Sequence, residues 1–252
     1  MALAFARVNA IFFSKLSALF FLFAPQILPT NLKLPEVFNV AADKDVIIIF
    51  NSGGWGNTPP EEAKDFAPIV EGIQKTLNEW GRSSIIIPYV RTKEGLLGQI
   101  TGAKEMFNSF KNSSEELAVE IEELAKKFPD KKIIMTGLSN GAAFANKTYE
   151  NISNDFKKSV YVITMGNPFW ENFPQSDNLL QLDNNGKDIL SKGDAKSLLY
   201  SLIKAPLKWI FSKITGENLN ISQAFEAFGH YYFWPSPEVN SQIVSFLQNK
   251  LH

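Results

Sequence analysis

Gly137-Leu138-Ser139-Asn140-Gly141 is the segment whose spacing most directly suggests a reaction. Gly-x-Ser-x-Gly sets a serine hydroxyl on a turn too sharp for flanking side chains, with Gly137 and Gly141 leaving room for the strained backbone. A hydroxyl raised in this way is a nucleophile once a base removes its proton. The chain has no cysteine and two histidines, so imidazole chemistry must pass through His230 or His252. His252 is the last residue, where fraying works against a positioned catalyst. His230 therefore stands as the candidate base, and it follows the serine in the order Ser, acid, His. The orienting acid must accept Nδ1–H and stabilise the imidazolium. Asp183 and Asp188 both lie in the right interval. Asp188 is favoured because it precedes the apolar pair Ile189-Leu190, which can anchor its loop, while Asp183 at the strand end is the alternative acid.

An acyl-transfer site also needs donors for the oxyanion. The backbone amide of Asn140 opens the helix after the nucleophile, where the partial positive charge of the helix end assists it. A second donor is expected from the glycine-rich loop after an earlier strand. Ser52-Gly53-Gly54-Trp55-Gly56 fits, with the amides of Gly54 or Trp55 as candidates and Trp55 as a wall of the acyl pocket.

Around these residues the chain is punctuated as a parallel sheet covered by helices. Short β-branched runs at 46–50, 84–90, 132–136, 160–164 and 179–182 alternate with helical patterns at 59–80, 113–128, after Gly141 and at 239–251. The run Val46-Ile47-Ile48-Ile49-Phe50 is continuously apolar, as for a strand buried on both faces. Lys132-Ile133-Ile134-Met135-Thr136 before the serine motif and Ala142-Ala143-Phe144-Ala145 after it supply the strand, turn and helix that the motif requires. In the helix at 113–128, Ser113 or Ser114 is the expected cap. The fold class is thus α/β, a mostly parallel sheet with helices on both faces and one catalytic domain over 46–252.

With 25 basic and 26 acidic residues the net charge is −1, which gives no electrostatic case for nucleic acid. The lack of cysteine excludes a cysteine-ligated metal site, the pair of histidines argues against a multi-histidine zinc site, and the proposed chemistry calls for no metal or cofactor.

The span from 46 to 251 resembles the α/β-hydrolase superfamily, and its second half resembles the lipase class 3 branch. The residues that carry this are the Gly137–Gly141 motif, Gly166-Asn167-Pro168, Asp188-Ile189-Leu190 and His230-Tyr231-Tyr232-Phe233-Trp234. Leu138 stands where that branch usually has His. The resemblance implies ester hydrolysis with Ser139, Asp188 and His230 as the triad. The substrate class expected is an apolar acyl or lipid ester, with thioesterase or acyltransferase chemistry, or a silent binding protein on the same fold, as alternatives.

Two segments bear on location. Residues 1–29 are apolar, with Arg7 and Lys15 as their only charges, and read as an export signal or membrane-associating segment, with packing on the domain in a cytoplasmic protein as the other option. Residues 30–45 read as a linker. Between acid and base, 195–216 carries an apolar helical stripe that includes Ile210, Phe211 and Ile214, flanked by lysines. It is a candidate helical lid, and an anionic membrane surface is a candidate partner for it. Nothing in the sequence bears on oligomeric state.

Overall fold

The computed structural model describes residues 27–28, 34–93, 96–171, 174–193, 210–212, 214–216 and 229–251. Five strands, β1 (Val46–Asn51), β2 (Ser84–Pro88), β3 (Lys132–Leu138), β4 (Val160–Met165) and β5 (Leu179–Leu182), form one sheet in the order β2-β1-β3-β4-β5. Every pairing is parallel. The helices among the described residues are α1 (Leu34–Ala41), α2 (Ala67–Glu79), α3 (Leu96–Phe107), α4 (Lys111–Lys127), α5 (Asn140–Asn151), α6 (Asn154–Lys157), α7 (Ile189–Lys192) and α8 (Pro237–Leu251).

The alternation of side chains along β1 decides how the layers assemble. Val46, Ile48 and Phe50 join a core built with Ile69, Ile73 and Leu77 of α2 and Ile243 and Leu247 of α8. Ile47 and Ile49 point to the other face and pack with Leu117 and Ile121 of α4, Phe144 of α5, and Val37 and Ala41 of α1. Strands buried on both faces lose their alternating polarity, which is why these runs read as continuously apolar. The fold class expected from sequence is the one observed, with helices on both faces of a parallel sheet.

Several local expectations need correction. The stretch 30–45 is not all linker: α1 lies within it and buries Val37 and Ala41. Residues 59–66 form turns, and the helix begins only at Ala67, with Pro68 in its first turn. Ala63 and Phe66 are nonetheless buried in the same core as α2, so their spacing extended the apolar pattern beyond the true helix start. Neither Ser113 nor Ser114 caps α4. That helix starts at Lys111 after Phe110, which has φ 55°, and the hydroxyl of Ser113 donates to Glu105 Oε2. The helix α3 has no counterpart in the sequence reading.

Of the apolar N-terminal segment only Ile27 and Leu28 are described. Ile27 forms a parallel bridge with Ile86, and Leu28 N donates to Ile86 O at 3.0 Å, on the edge of β2. No helix among the described residues is long and apolar enough to cross a membrane. The lid stretch is described only at 210–212 and 214–216, where Ile210, Phe211 and Ile214 are exposed.

Candidate active site

Ser139 sits between β3 and α5 with φ 55° and ψ −121°, a conformation that costs a residue bearing a Cβ about 1–3 kcal/mol. The two motif glycines make the turn sterically feasible. A Cβ at position 137 would lie 2.3 Å from the carbonyl oxygen of Gly141, and one at 141 would lie 2.3 Å from Asn51 O and 2.5 Å from Ser52 O. The start of α5 is therefore pressed onto the ends of β1 and β3, closer than any side chain permits. Ser139 makes no side-chain cap to its helix, so its hydroxyl is not spent on the role a serine usually has at a helix start. Its backbone N–H donates to Met165 O at 2.9 Å, fastening the turn to the end of β4.

The next residue along β4 brings in the histidine. A Cβ on Gly166 (φ +62°) would fall 2.2 Å from His230 Cε1 and 3.0 Å from Asp188 Oδ2, so the imidazole and the carboxylate lie directly over this glycine. His230 Nδ1 is 2.8 Å from Asp188 Oδ2. A bond to a carboxylate requires the proton on Nδ1, which leaves Nε2 as the acceptor. The histidine loop is also tied to the acid loop: Asn184 Nδ2 donates to Gly229 O at 2.9 Å, and Gly229 abuts Lys187 O.

Asp188 is completely buried and fully engaged. Its Oδ1 accepts from Leu190 N at 2.9 Å and Ser191 N at 3.4 Å, capping α7. Its Oδ2 accepts from His230 and from the Tyr232 hydroxyl at 2.7 Å. Burial pushes its pKa up, but the hydrogen bond and charge of His230 and the donors Tyr232 and Leu190 N outweigh this and hold it below the usual carboxylate value. Burial and the adjacent Asp188 charge raise the Tyr232 phenol, which stays a donor. Asp183, by contrast, is exposed and its Oδ1 accepts from Gly186 N at 3.0 Å, as a turn residue does.

On the other side of Ser139 lies the loop after β1. A Cβ on Gly53 would be 3.7 Å from that of Ser139, so Gly53, which the sequence reading did not select as a donor, is a close neighbour of the serine. The loop is held through its carbonyls. Asn140 Nδ2 donates to Gly54 O at 3.2 Å, and Thr92 Oγ1 donates to Trp55 O at 2.8 Å. The helix α3 packs here, with Gly102 against the Trp55 ring and Met106 Sδ 3.5 Å from Asn140 Nδ2.

The comparisons with known proteins bear on this arrangement. The family described as Cutinase matches residues 84–188, from the start of β2 to Asp188, which is less than half of the chain. A cutinase of Trichoderma reesei solved in complex with a C11Y4 phosphonate inhibitor superposes with a TM-score of 0.52 at 12% identity, over 83% of this chain and 77% of that one. An acetylxylan esterase gives a TM-score of 0.48 at 13% identity, over 83% of this chain and 99% of that one. No curated protein matches the sequence. The fold is the α/β-hydrolase fold. The matched family is one of serine ester hydrolases. The match is to Cutinase and not to the lipase class 3 branch that the short segments of the second half resemble.

Ser139, Asn140, Asp188 and His230 thus gather with Gly137 and Gly141 at the carboxyl ends of β3, β4 and β5, while Gly54 and Trp55 lie in the loop after β1. His252 lies outside the described residues. Tyr232, Gly166 and Gly229 all appear in segments quoted from the sequence, but local pattern gives no sign that Tyr232 and Gly166 meet the Asp188 carboxylate and Gly229 the backbone beside it.

Proposed function

We propose that the chain is a serine carboxylester hydrolase acting on apolar acyl or lipid esters. The carrying observation is the hydrogen bond of half-buried His230 to buried Asp188 over Gly166, next to the strained serine turn that is bonded to Met165. His230 Nε2 takes the Ser139 proton as Oγ attacks the ester carbonyl carbon. The oxyanion is met by the Asn140 amide and by amides of the loop that contains Gly53, Gly54 and Trp55. Collapse of the tetrahedral adduct breaks the bond to the alcohol oxygen, which leaves with the proton from His230. Water, deprotonated by the same imidazole, then releases the acid from the acyl-Ser139 ester. Asp188 holds the Nδ1–H tautomer and offsets the imidazolium charge.

The apolar character of the substrate is supported by the aromatic side chains of two segments, one following His230 and one following Gly166. Tyr231 and Phe233 are stacked with centroids 6.4 Å apart, and Phe169 and Trp170 meet edge to face at 5.1 Å. All four are exposed. The exposed Ile210, Phe211 and Ile214 extend the same reading to 195–216 as an apolar cover near a lipid surface, and the N-terminal segment serves export or membrane association.

A fluorophosphonate probe on the intact protein, followed by hydrolysis of p-nitrophenyl esters of increasing chain length, tests the proposal. Labelling at Ser139, its loss in Ser139→Ala with the fold retained, and turnover that rises beyond acetate are expected. An unlabelled wild-type serine would leave a binding protein on this fold, and a preference for coenzyme A thioesters or for alcohol acceptors would move the activity to thioesterase or acyltransferase.

A further inference from the structure

Both segments that flank the oxyanion position rest on one cation. Arg91, three residues beyond β2, donates from Nη2 to Ser52 O at 2.9 Å and from Nη1 to Asn140 O at 3.4 Å. Its backbone N–H donates to Gly56 O at 2.8 Å, and a Cβ on Gly56 would strike its Nε at 2.2 Å, so the loop closes around this side chain. The guanidinium carbon stands 5.0 Å from the Phe110 ring centroid and 5.1 Å from that of Phe144, the latter in the helix that Ser139 opens. Nε is shut off from solvent without a hydrogen-bond partner among the described residues. None of the ion pairs among those residues involves Arg91.

A cation placed among aromatic rings and carbonyls, with one donor unsatisfied, is costly to keep, and such costs are retained where a site needs them. Burial lowers its pKa to about 10, which leaves it charged at neutral pH. The two carbonyls that it holds tell where the field goes. Ser52 O shares a peptide with the N–H of Gly53, beside Ser139, whereas Asn140 O shares one with the N–H of Gly141, so that contact holds the start of α5 in place and does not polarise the Asn140 amide. A charged donor on a carbonyl polarises that peptide and strengthens its N–H as a donor. We propose that Arg91 is a positioning residue of the hydrolytic site, fixing the loop of Ser52 to Gly56 against Asn140 and lending its charge, through the Ser52–Gly53 peptide, to the oxyanion. The inference rests on the hydrolase reading above.

The test compares Arg91→Met and Arg91→Lys with wild type. It reads kcat and KM on a short p-nitrophenyl ester, inhibition by an alkyl boronic acid that forms a tetrahedral adduct on the serine, and the melting temperature. Arg91→Met should lower kcat by about 30–100-fold with KM within about threefold, short of the about 10²–10³ for losing an oxyanion donor because the donor is weakened and not removed. Boronic acid affinity should fall in parallel, because only the tetrahedral state uses the hole. Arg91→Lys should recover about a tenth or more of the wild-type kcat, since an ammonium keeps the charge but loses the fork that spans two carbonyls. A folded Arg91→Met with kcat and boronic acid affinity within twofold of wild type overturns the proposal, as does a loss confined to KM. If Arg91→Met does not fold, Arg91→Lys decides. A drop of at least threefold in both kcat and boronic acid affinity at a near-native melting temperature supports the role, and no drop overturns it. Wild-type labelling by the fluorophosphonate probe is read in the same series, so a failure of the hydrolase reading itself shows as absent labelling rather than as an insensitive Arg91.

Discussion

Tyr232→Phe removes one hydroxyl and no packing volume, and it interrogates the acid more finely than any substitution of Asp188. The phenol is 3% exposed, and its oxygen lies 2.7 Å from Asp188 Oδ2 and 3.1 Å from Leu182 O. A phenol has one proton, and the shorter contact to a charged oxygen takes it. A hydrogen bond to a charged group contributes about 1.5–3 kcal/mol, which for a chain of this size lowers the melting temperature by roughly 3–12 °C at pH 7. The effect should depend on pH with a definite sign. Asp188 has a folded pKa below its ordinary value, so its contribution to stability is present above the unfolded pKa and is lost as pH falls through the folded one. The hydroxyl stabilises the ionised form, so the difference in melting temperature between wild type and variant should narrow as pH falls below the ordinary carboxylate value and Asp188 takes up its proton. Activity should fall by about 3–30-fold, since Leu190 N, Ser191 N and His230 still hold the carboxylate while the imidazole shifts slightly. Thermal melts across the pH range and kcat/KM on a p-nitrophenyl ester read both effects. A stability difference that does not narrow as the pH is lowered through the titration of Asp188 would refute the reasoning, because the proton would then belong to Leu182 O and the tyrosine would have no hold on the carboxylate.

The remaining predictions concern the same site. Asp188→Asn should lower kcat by orders of magnitude, on the scale of the ~10⁴ known for an orienting aspartate of a serine protease, because an amide facing Nδ1 selects the wrong tautomer. Asp183→Asn, changing an exposed turn residue, should keep most activity, and the reverse ranking in a kcat comparison would dissolve the assigned acid. Gly166→Ala would put a methyl 2.2 Å from the His230 ring at a backbone φ of +62°, so activity should fall by about 10² or more while circular dichroism stays native. Near-wild-type turnover in that variant would mean that the imidazole works from somewhere else.

The positions of the strands and the serine turn were legible because they are local. An apolar run of five or six residues reports a strand buried on both faces, and Gly-x-Ser-x-Gly between such a strand and an alanine-rich helix reports a turn with one backbone solution. Where local pattern misled, tertiary burial was the cause. Ala63 and Phe66 carry the spacing of a helix but belong to turns, since a core selects apolar residues from any backbone that faces it. The helix α3 went unread although it packs on Trp55 through Gly102.

For the site itself, the chain by itself determined the chemistry on offer: one serine on a sharp turn, one internal histidine, and two aspartates just after the run at 179–182. Choosing between the aspartates required the fold. Asp188 and His230 are 42 residues apart, and what joins them is a strand order, β2-β1-β3-β4-β5, that sets the ends of β3, β4 and β5 side by side. Tyr232 on the carboxylate and Arg91 on the oxyanion loop were hidden for the same reason. Periodicity records which face of an element is buried, whereas the partner a side chain meets there depends on which elements the sheet makes neighbours.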